Sequence, residues 1–145
     1  MTEVAFHFNM PDKTGYLCRL LRKAAVQGAQ VAVTGPQDLL GELDAALWSF
    51  SETDFVPHCR ADSNPVVRDA SPILLGVAPA EAPHHDVLLN LGAQVPAGFE
   101  RFERVIEVVG NDEQERADSR LRWRYYRQRG YALVRHDIAG QGRRR

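Results

Sequence analysis

The feature that most constrains the fold is the alternation of short apolar segments, typical of β-strands, with amphipathic segments of helical period. Val4–Phe8 alternates β-favouring residues, and Pro72–Val77 is almost wholly apolar, as expected for a strand covered on both faces. Such alternation predicts a mainly parallel sheet with helices on both faces, a three-layer α/β domain. The predicted strands are Val4–Phe8, Gln30–Thr34, Pro72–Val77, Val87–Leu91, Phe102–Val109 and a short last one at Tyr131–Val134. The predicted helices are Lys13–Gln27, Pro36–Trp48 and Asp112–Arg129.

The chain length fits one domain. Its 145 residues, with 44% hydrophobic and 26% charged side chains, match globular proteins. We expect one α/β domain over residues 1–139 and a basic, disordered tail over 140–145. Residues 49–71 lack a sustained period and contain two prolines, which predicts a long loop. No apolar run approaches the ~20 residues that span a bilayer, and the N-terminus lacks a basic signal region, so we expect a cytoplasmic protein.

Motifs that bind nucleotides or build catalytic centres are absent from the sequence. GxxxxGK[ST], GxSxG and HExxH do not occur, and the sole GxG is Gly140–Gly142 in the tail. Cys18 and Cys59 lack metal-ligand spacing, and the adjacent His84 and His85 cannot share one helix face. We therefore expect no catalytic residues, no metal, no cofactor and no small-molecule substrate.

Charge is distributed very unevenly along the chain. Residues 1–115 hold 8 Lys and Arg against 17 Asp and Glu, whereas residues 116–145 hold 10 Arg against 2 Asp. The net charge of −1 hides this polarity. It indicates an anionic partner for the C-terminal end and says nothing about the fold.

The last predicted helix carries a stripe of arginines around a tryptophan. At 100° per residue, one stripe contains Ala117, Leu121 and Tyr125 and is predicted to face the sheet. The adjacent stripe has i, i+4, i+7, i+8 and i+11 spacing and contains Arg116, Arg120, Trp123, Arg124 and Arg127. Like charges at these spacings repel, a cost that an anionic ligand offsets. Three interpretations stay open: an acidic-peptide site, a single-stranded nucleic-acid site, or a solvated basic face.

A second aromatic group follows the second helix. Trp48, Phe50 and Phe55 lie within eight residues at the helix end and in the irregular segment beyond it. They fit equally a small core beneath the loop and a protein–protein contact surface.

At these two places the sequence resembles the chi subunits of bacterial DNA polymerase III holoenzyme. The resemblance rests on Leu43–Trp48, on Phe55–His58, and on Arg120–Gly130 followed by an aromatic residue. Chain length, the opening strand and the order of elements also agree, so the resemblance covers nearly the whole chain.

The resemblance implies a binding module. Chi subunits have a Rossmann-like α/β fold without a nucleotide site, pair with the psi subunit of the clamp loader, and bind the acidic C-terminal tail of single-stranded-DNA-binding protein. The resemblance thus implies a non-catalytic replication subunit that contacts DNA mainly indirectly. It also implies that the protein does not bind a membrane. The implied tail-binding residues are Val109, Arg116, Arg120, Trp123 and Arg124, to which the stripe adds Arg127, and the implied psi-binding residues are Trp48 and Phe55. The alternative is direct binding of single-stranded nucleic acid by the basic helix.

Overall fold

The computed structural model of the protein describes residues 1–50, 56–60, 64 and 71–139. The predicted tail at 140–145, Phe55 and most of the predicted loop at 49–71 lie outside these residues. Within the described residues, short 3-10 turns occur at Pro79–Glu81 and Phe99–Arg101. The strands are β1 (Glu3–Phe8), β2 (Val31–Thr34), β3 (Cys59–Arg60), β4 (Ile73–Leu75), β5 (Val87–Asn90), β6 (Arg104–Val108) and β7 (Ala132–Asp137). The helices of the described residues are α1 (Lys13–Val26), α2 (Gln37–Ser49) and α3 (Glu113–Gln128).

The strands form one parallel sheet in the order β3-β4-β2-β5-β6-β1-β7, which confirms the predicted α/β architecture. Two details differ from the prediction. Strand β3 lies inside the segment predicted as loop, because two residues are too short to show a period. Strand β7 continues to Asp137, three residues beyond the predicted Val134, because it pairs along the whole of β1. It is the exposed edge of the sheet beside β1.

Two apolar cores lie on opposite faces of the sheet. Along β2, Val31 and Val33 face α1 and α2, while Ala32 between them packs into the core beneath α3. This alternation follows from the two-residue period of a strand. The helices α1 and α2 therefore cover one face, and α3 covers the other, as a three-layer α/β domain requires.

Side chains tie together the two loops that follow the neighbouring strands β1 and β6. Lys13 Nζ lies 3.0 Å from Glu115 Oε1. Asn111 Nδ2 donates to the carbonyl oxygen of Met10 over 3.1 Å. The backbone N–H of Gly110 donates to the second Glu115 oxygen. These contacts fix the start of α3 against the loop after β1.

The loops that follow β2 and β5 meet through backbone. Gly35 lies so close to Leu91 that a Cβ atom on the glycine would stand 2.9 Å from the leucine Cβ, which no real pair of side chains tolerates. Only glycine therefore permits this approach. The carboxyl ends of β2 and β5 are closed against each other.

Several sequence expectations concern absences. Among the described residues, no helix is long and apolar enough to cross a membrane. Within the same ranges, no group of three or more His, Cys, Asp or Glu side chains is placed to hold a metal ion. Cys18 and Cys59 are both buried free thiols.

Candidate functional site

Helix α3 has well-formed ends that fix its position. The Asp112 carboxylate accepts hydrogen bonds from the backbone N–H groups of Gln114 and Glu115, over 3.1 and 3.2 Å. This N-cap satisfies backbone N–H groups that have no partner within the helix, and it places negative charge at the positive end of the helix dipole. Gly130 follows the helix with φ of 78°, the left-handed conformation that favours glycine. The chain then turns directly into β7.

A buried polar network holds the inner face of α3. Arg122 Nε donates to Glu107 Oε1 over 2.9 Å, and Tyr126 Oη donates to Glu107 Oε2 over 2.7 Å. Asn90 Nδ2, at the end of β5, donates to the same carboxylate at 2.9 Å. Burial raises the pKa of Glu107, while the Arg122 guanidinium and these donors oppose the rise. The pKa of Tyr126 is raised by burial and by Glu107, so its hydroxyl stays a donor.

The prediction that Ala117, Leu121 and Tyr125 face the sheet is wrong for Ala117 and Leu121, whereas Tyr125 is half-buried and packs against the core beneath α3. Leu121 is 62% exposed, and the buried residues of α3 are Arg122 and Tyr126. The helix is rotated from the predicted orientation because Glu107 lies beneath it and can receive a guanidinium. A buried arginine is stable only with such a partner.

The rotation opens a groove between α3 and β7, above β1. Its volume is about 570 Å³. Among the described residues that line it are five arginines and no acidic side chain. The lining comprises Phe6, Phe8, Asn9, Val109, Gly110, Arg116, Ser119, Arg120, Trp123, Arg124, Arg127 and Arg135.

The floor of the groove is apolar and aromatic. The Trp123 ring meets the Phe6 ring edge to face, with centroids 5.2 Å apart. Trp123 is therefore half-buried, with one side on the core and the other toward the groove. Val109 is 4% exposed and follows the end of β6. The floor therefore places an apolar surface beside the arginines of α3.

The arginines of α3 differ in how tightly they are held. One guanidinium nitrogen of Arg116 lies 3.3 Å from Asn111 Oδ1 and 3.5 Å from Asn9 Oδ1. In the part of the chain that the structure describes, the side chains of Arg120, Arg124 and Arg127 form no hydrogen bond or ion pair, and all three residues are exposed. Their donors are available to a ligand.

This arrangement suits an anionic chain with an apolar residue. Guanidinium groups bind carboxylates or phosphates through paired hydrogen bonds. The donors of the α3 rim stand beside the Trp123 and Phe6 rings. One ligand can thus satisfy cations and bury an apolar group at the same place.

The structure brings all six sequence-predicted tail-binding residues to one groove: Val109, Arg116, Arg120, Trp123, Arg124 and Arg127. Their role in binding stays a prediction. Sequence reasoning missed Phe6, Phe8 and Arg135. The alternation along β1 places Phe6 and Phe8 on one face and offered a signal, but nothing in the sequence places Arg135 opposite α3.

The predicted second surface is partly described. Trp48 is 61% exposed, and its ring lies 5.1 Å from that of His58. His58 is buried and bonds to Asp44 Oδ1 over 3.1 Å. Phe50 is half-buried against the α1/α2 core, while Phe55 lies outside the described residues. The two aromatic residues that can be placed thus divide between surface and core.

Comparisons with known proteins agree on one family. The family model described as DNA polymerase III chi subunit, HolC, matches residues 1–134. The chain is 36% identical over 122 residues to DNA polymerase III subunit chi of Pseudomonas aeruginosa, covering 83% of each chain. It is 26% identical over 98 residues to DNA polymerase III subunit chi of Haemophilus influenzae, covering 67% of each. The chain therefore belongs to the DNA polymerase III chi subunit family.

Proposed function

We propose that this chain is a non-catalytic accessory subunit that joins the clamp loader to the acidic C-terminal tail of single-stranded-DNA-binding protein. Membership of the chi family supports the role in replication. The observation that carries the tail-binding part is the groove beside α3, which combines five arginines with an aromatic floor. The tail is rich in carboxylates and ends in an apolar residue. The arginines of the groove are complementary to the carboxylates, and its aromatic floor is complementary to the apolar residue.

In this proposal the last side chain of the tail packs against Trp123 and Phe6. Its terminal carboxylate then lies within reach of the α3 arginines on either side of the indole, Arg120 and Arg124. The acidic residues upstream extend along the remaining cations. Because these guanidinium groups have no carboxylate partner among the described residues, binding replaces like-charge repulsion with attraction.

The link to the clamp loader is proposed to run through a psi subunit bound at Trp48. An indole that is 61% exposed at the end of α2 is a suitable anchor, since tryptophans are enriched at the centres of interfaces. Trp48 belongs to α2 and the groove to α3 and β7, so the two sites are built from different elements. The protein can then hold both partners together.

The experiment that tests the tail-binding role is a calorimetric titration. The ligand is an acidic peptide with a free C-terminal apolar residue, and the matched control peptide lacks that residue. We expect saturable binding of the first and a large loss of affinity for the second. Equal binding of both would indicate charge attraction alone. Oligo-dT binding with a steep salt dependence, together with that equality, would favour direct nucleic-acid binding instead.

Tryptophan fluorescence gives a second, local measurement. The sequence has two tryptophans, so Trp48→Phe leaves Trp123 as the sole emitter. An apolar side chain that packs on the indole removes water from it, and we expect a shift of its emission on titration with the complete peptide. The truncated peptide should leave the emission unchanged. An unchanged emission with both peptides would place the bound peptide elsewhere.

A further inference from the structure

The groove has a second cationic wall, formed by one residue of the edge strand. Side chains of β7 alternate between the faces of the sheet. Leu133 packs into the core beneath α3, and Arg135 lines the groove, whereas Val134 and His136 lie on the α1 side. Arg135 therefore faces α3 across the groove.

The sheet register places Arg135 level with Trp123. Arg135 pairs with Phe6 in the β1–β7 register. The Phe6 ring in turn contacts the Trp123 ring at 5.2 Å. The two walls of the groove thus stand opposite each other at the position where an apolar ligand side chain packs.

The Arg135 guanidinium is oriented and available. Its Cζ atom lies 5.1 Å from the centroid of the Phe8 ring, a cation–π contact that supports the group from one side. Within the described ranges, the Arg135 side chain makes no hydrogen bond and no ion pair, and the residue is exposed. Its N–H donors remain available to a carboxylate.

We propose that Arg135 is a specificity residue that binds a side-chain carboxylate of the peptide, while the α3 arginines bind its terminal carboxylate. This proposal rests on the proposed tail-binding function. The terminal carboxylate belongs to the same residue as the apolar side chain, so it must lie beside Trp123, on the wall that holds Arg120 and Arg124. A second carboxylate must come from an earlier residue, and Arg135 is the cation on the opposite wall.

Two walls make the site more selective than a basic helix alone. A single stripe of arginines attracts any polyanion. A groove with arginines on both walls instead favours a ligand that has carboxylates on both sides of one apolar residue. Because the carboxylates must match the positions of the guanidinium groups on both walls, the arrangement selects among acidic peptides by geometry as well as by charge.

The test is a double-mutant cycle by calorimetry on the full chain. The variants are Arg135→Ala, Arg135→Lys and, as a matched control, Arg19→Ala, an exposed arginine on the α1 side of the sheet. The peptides are the acidic sequence, single Asp→Asn versions of it, and a version with an amidated C-terminus. We expect Arg135→Ala to weaken binding about tenfold, the loss of one charge-assisted contact. Arg135→Lys should recover part of the affinity, and Arg19→Ala should have no effect.

The cycle assigns the contact. One Asp→Asn peptide should lose affinity for the wild type and not for Arg135→Ala, while amidation should weaken both proteins equally. Full affinity of Arg135→Ala, or coupling of Arg135 to the terminal carboxylate instead, would overturn the proposal. If the wild type binds no peptide, the tail-binding function fails rather than this assignment. Unfolding curves of the variants should coincide, since Arg135 is exposed and its side chain makes no hydrogen bond among the described residues.

Discussion

Arg122 Nε and Glu107 Oε1 form a buried ion pair at 2.9 Å, and the next residue along α3 is Trp123. The pair fixes the rotation of α3 about its axis. Because Arg122 faces inward, the neighbouring Trp123 is directed toward the groove. Arg122 Nη1 also donates to the Ala93 carbonyl oxygen over 2.9 Å, which ties the helix to the loop after β5. The ion pair thus links the core to the groove.

Replacing Arg122 by Met should destabilise the fold strongly. The change leaves the Glu107 carboxylate buried without its cation, a loss of about 3–5 kcal/mol in the free energy of unfolding. Urea denaturation measures it. Tyr126→Phe removes one neutral donor and should cost about 1–2 kcal/mol. A loss below about 0.5 kcal/mol for Arg122→Met would show that the pair contributes little to stability.

Charge reversal at Arg124 should weaken binding of the acidic peptide at least tenfold, because a carboxylate then faces a carboxylate. Calorimetry gives the affinity. The matched control is Arg129→Glu on the same helix, because Arg129 stacks on Tyr125 at 3.6 Å and does not line the groove. If both variants lose the same affinity, the helix attracts the peptide only through its net charge.

The affinity for the acidic peptide should fall as salt is added, because exposed ion pairs are screened beyond about 10 Å at 0.1 M ionic strength. The apolar contact with Trp123 and Phe6 is not screened in this way. A residual affinity should therefore remain at high salt for the complete peptide and vanish for the truncated one. An affinity that does not change between low and moderate salt would contradict an ionic site.

Trp48→Ala should abolish or strongly weaken binding of purified psi subunit, with a loss of more than tenfold, because truncation removes a central aromatic anchor. Isothermal titration with psi measures the loss. The matched control is Leu121→Ala, an apolar side chain of equal exposure on another helix. The acidic peptide should bind both variants as it binds the wild type. Equal psi binding by Trp48→Ala and the control would place the psi contact elsewhere.

Stability should fall in mild acid because of His7. Burial, with His136 and Arg104 nearby, lowers the pKa of His7 to about 4, and its Nδ1 shares a hydrogen bond with Tyr16 Oη. The unfolded chain takes up this proton near pH 6.5, so the free energy of unfolding decreases as pH falls from about 6.5 toward 4. Burial also lowers the pKa of His84, which adds to the slope.

Denaturation at several pH values checks this expectation. His7→Gln keeps an acceptor for the Tyr16 hydroxyl and should flatten the dependence between pH 6.5 and 4. His85→Gln, at an exposed histidine, serves as the control for replacing a histidine by glutamine. A His7→Gln curve parallel to that of the wild type would show that His7 takes up its proton equally in both states.

The fold was largely predictable because local sequence patterns indicate most of its strands and helices. Short apolar runs separated by amphipathic segments sufficed to predict a parallel three-layer domain, and six of the seven strands of the described chain begin within two residues of prediction. Strand β3 was missed because its pairing with β4 is a long-range contact without a local pattern. The extension of β7 depends likewise on its partner β1.

The site was predictable where one helix carries it. Five of the predicted groove residues lie on α3, and their spacing alone groups them. The orientation of the helix was not predictable, because hydrophobicity assigns Leu121 to the core and Arg122 to the surface. In the structure Leu121 is exposed and Arg122 is buried, because Glu107 lies buried on a separate strand. Arg135 was not predictable either, since only the sheet register places it at the groove.

The closed loops at the carboxyl ends of the strands bear on where this domain can bind anything. Doubly wound sheets usually hold their ligand in the crevice where neighbouring strands send their connections to opposite faces. Here β1 and β6 are such a pair, as are β2 and β5, and the first crevice is bridged by Lys13–Glu115 while the second is filled by Gly35 against Leu91. The two crevices in which such a sheet usually binds its ligand are thus closed by this chain's own residues, and the proposed binding groove lies instead along the flank of α3.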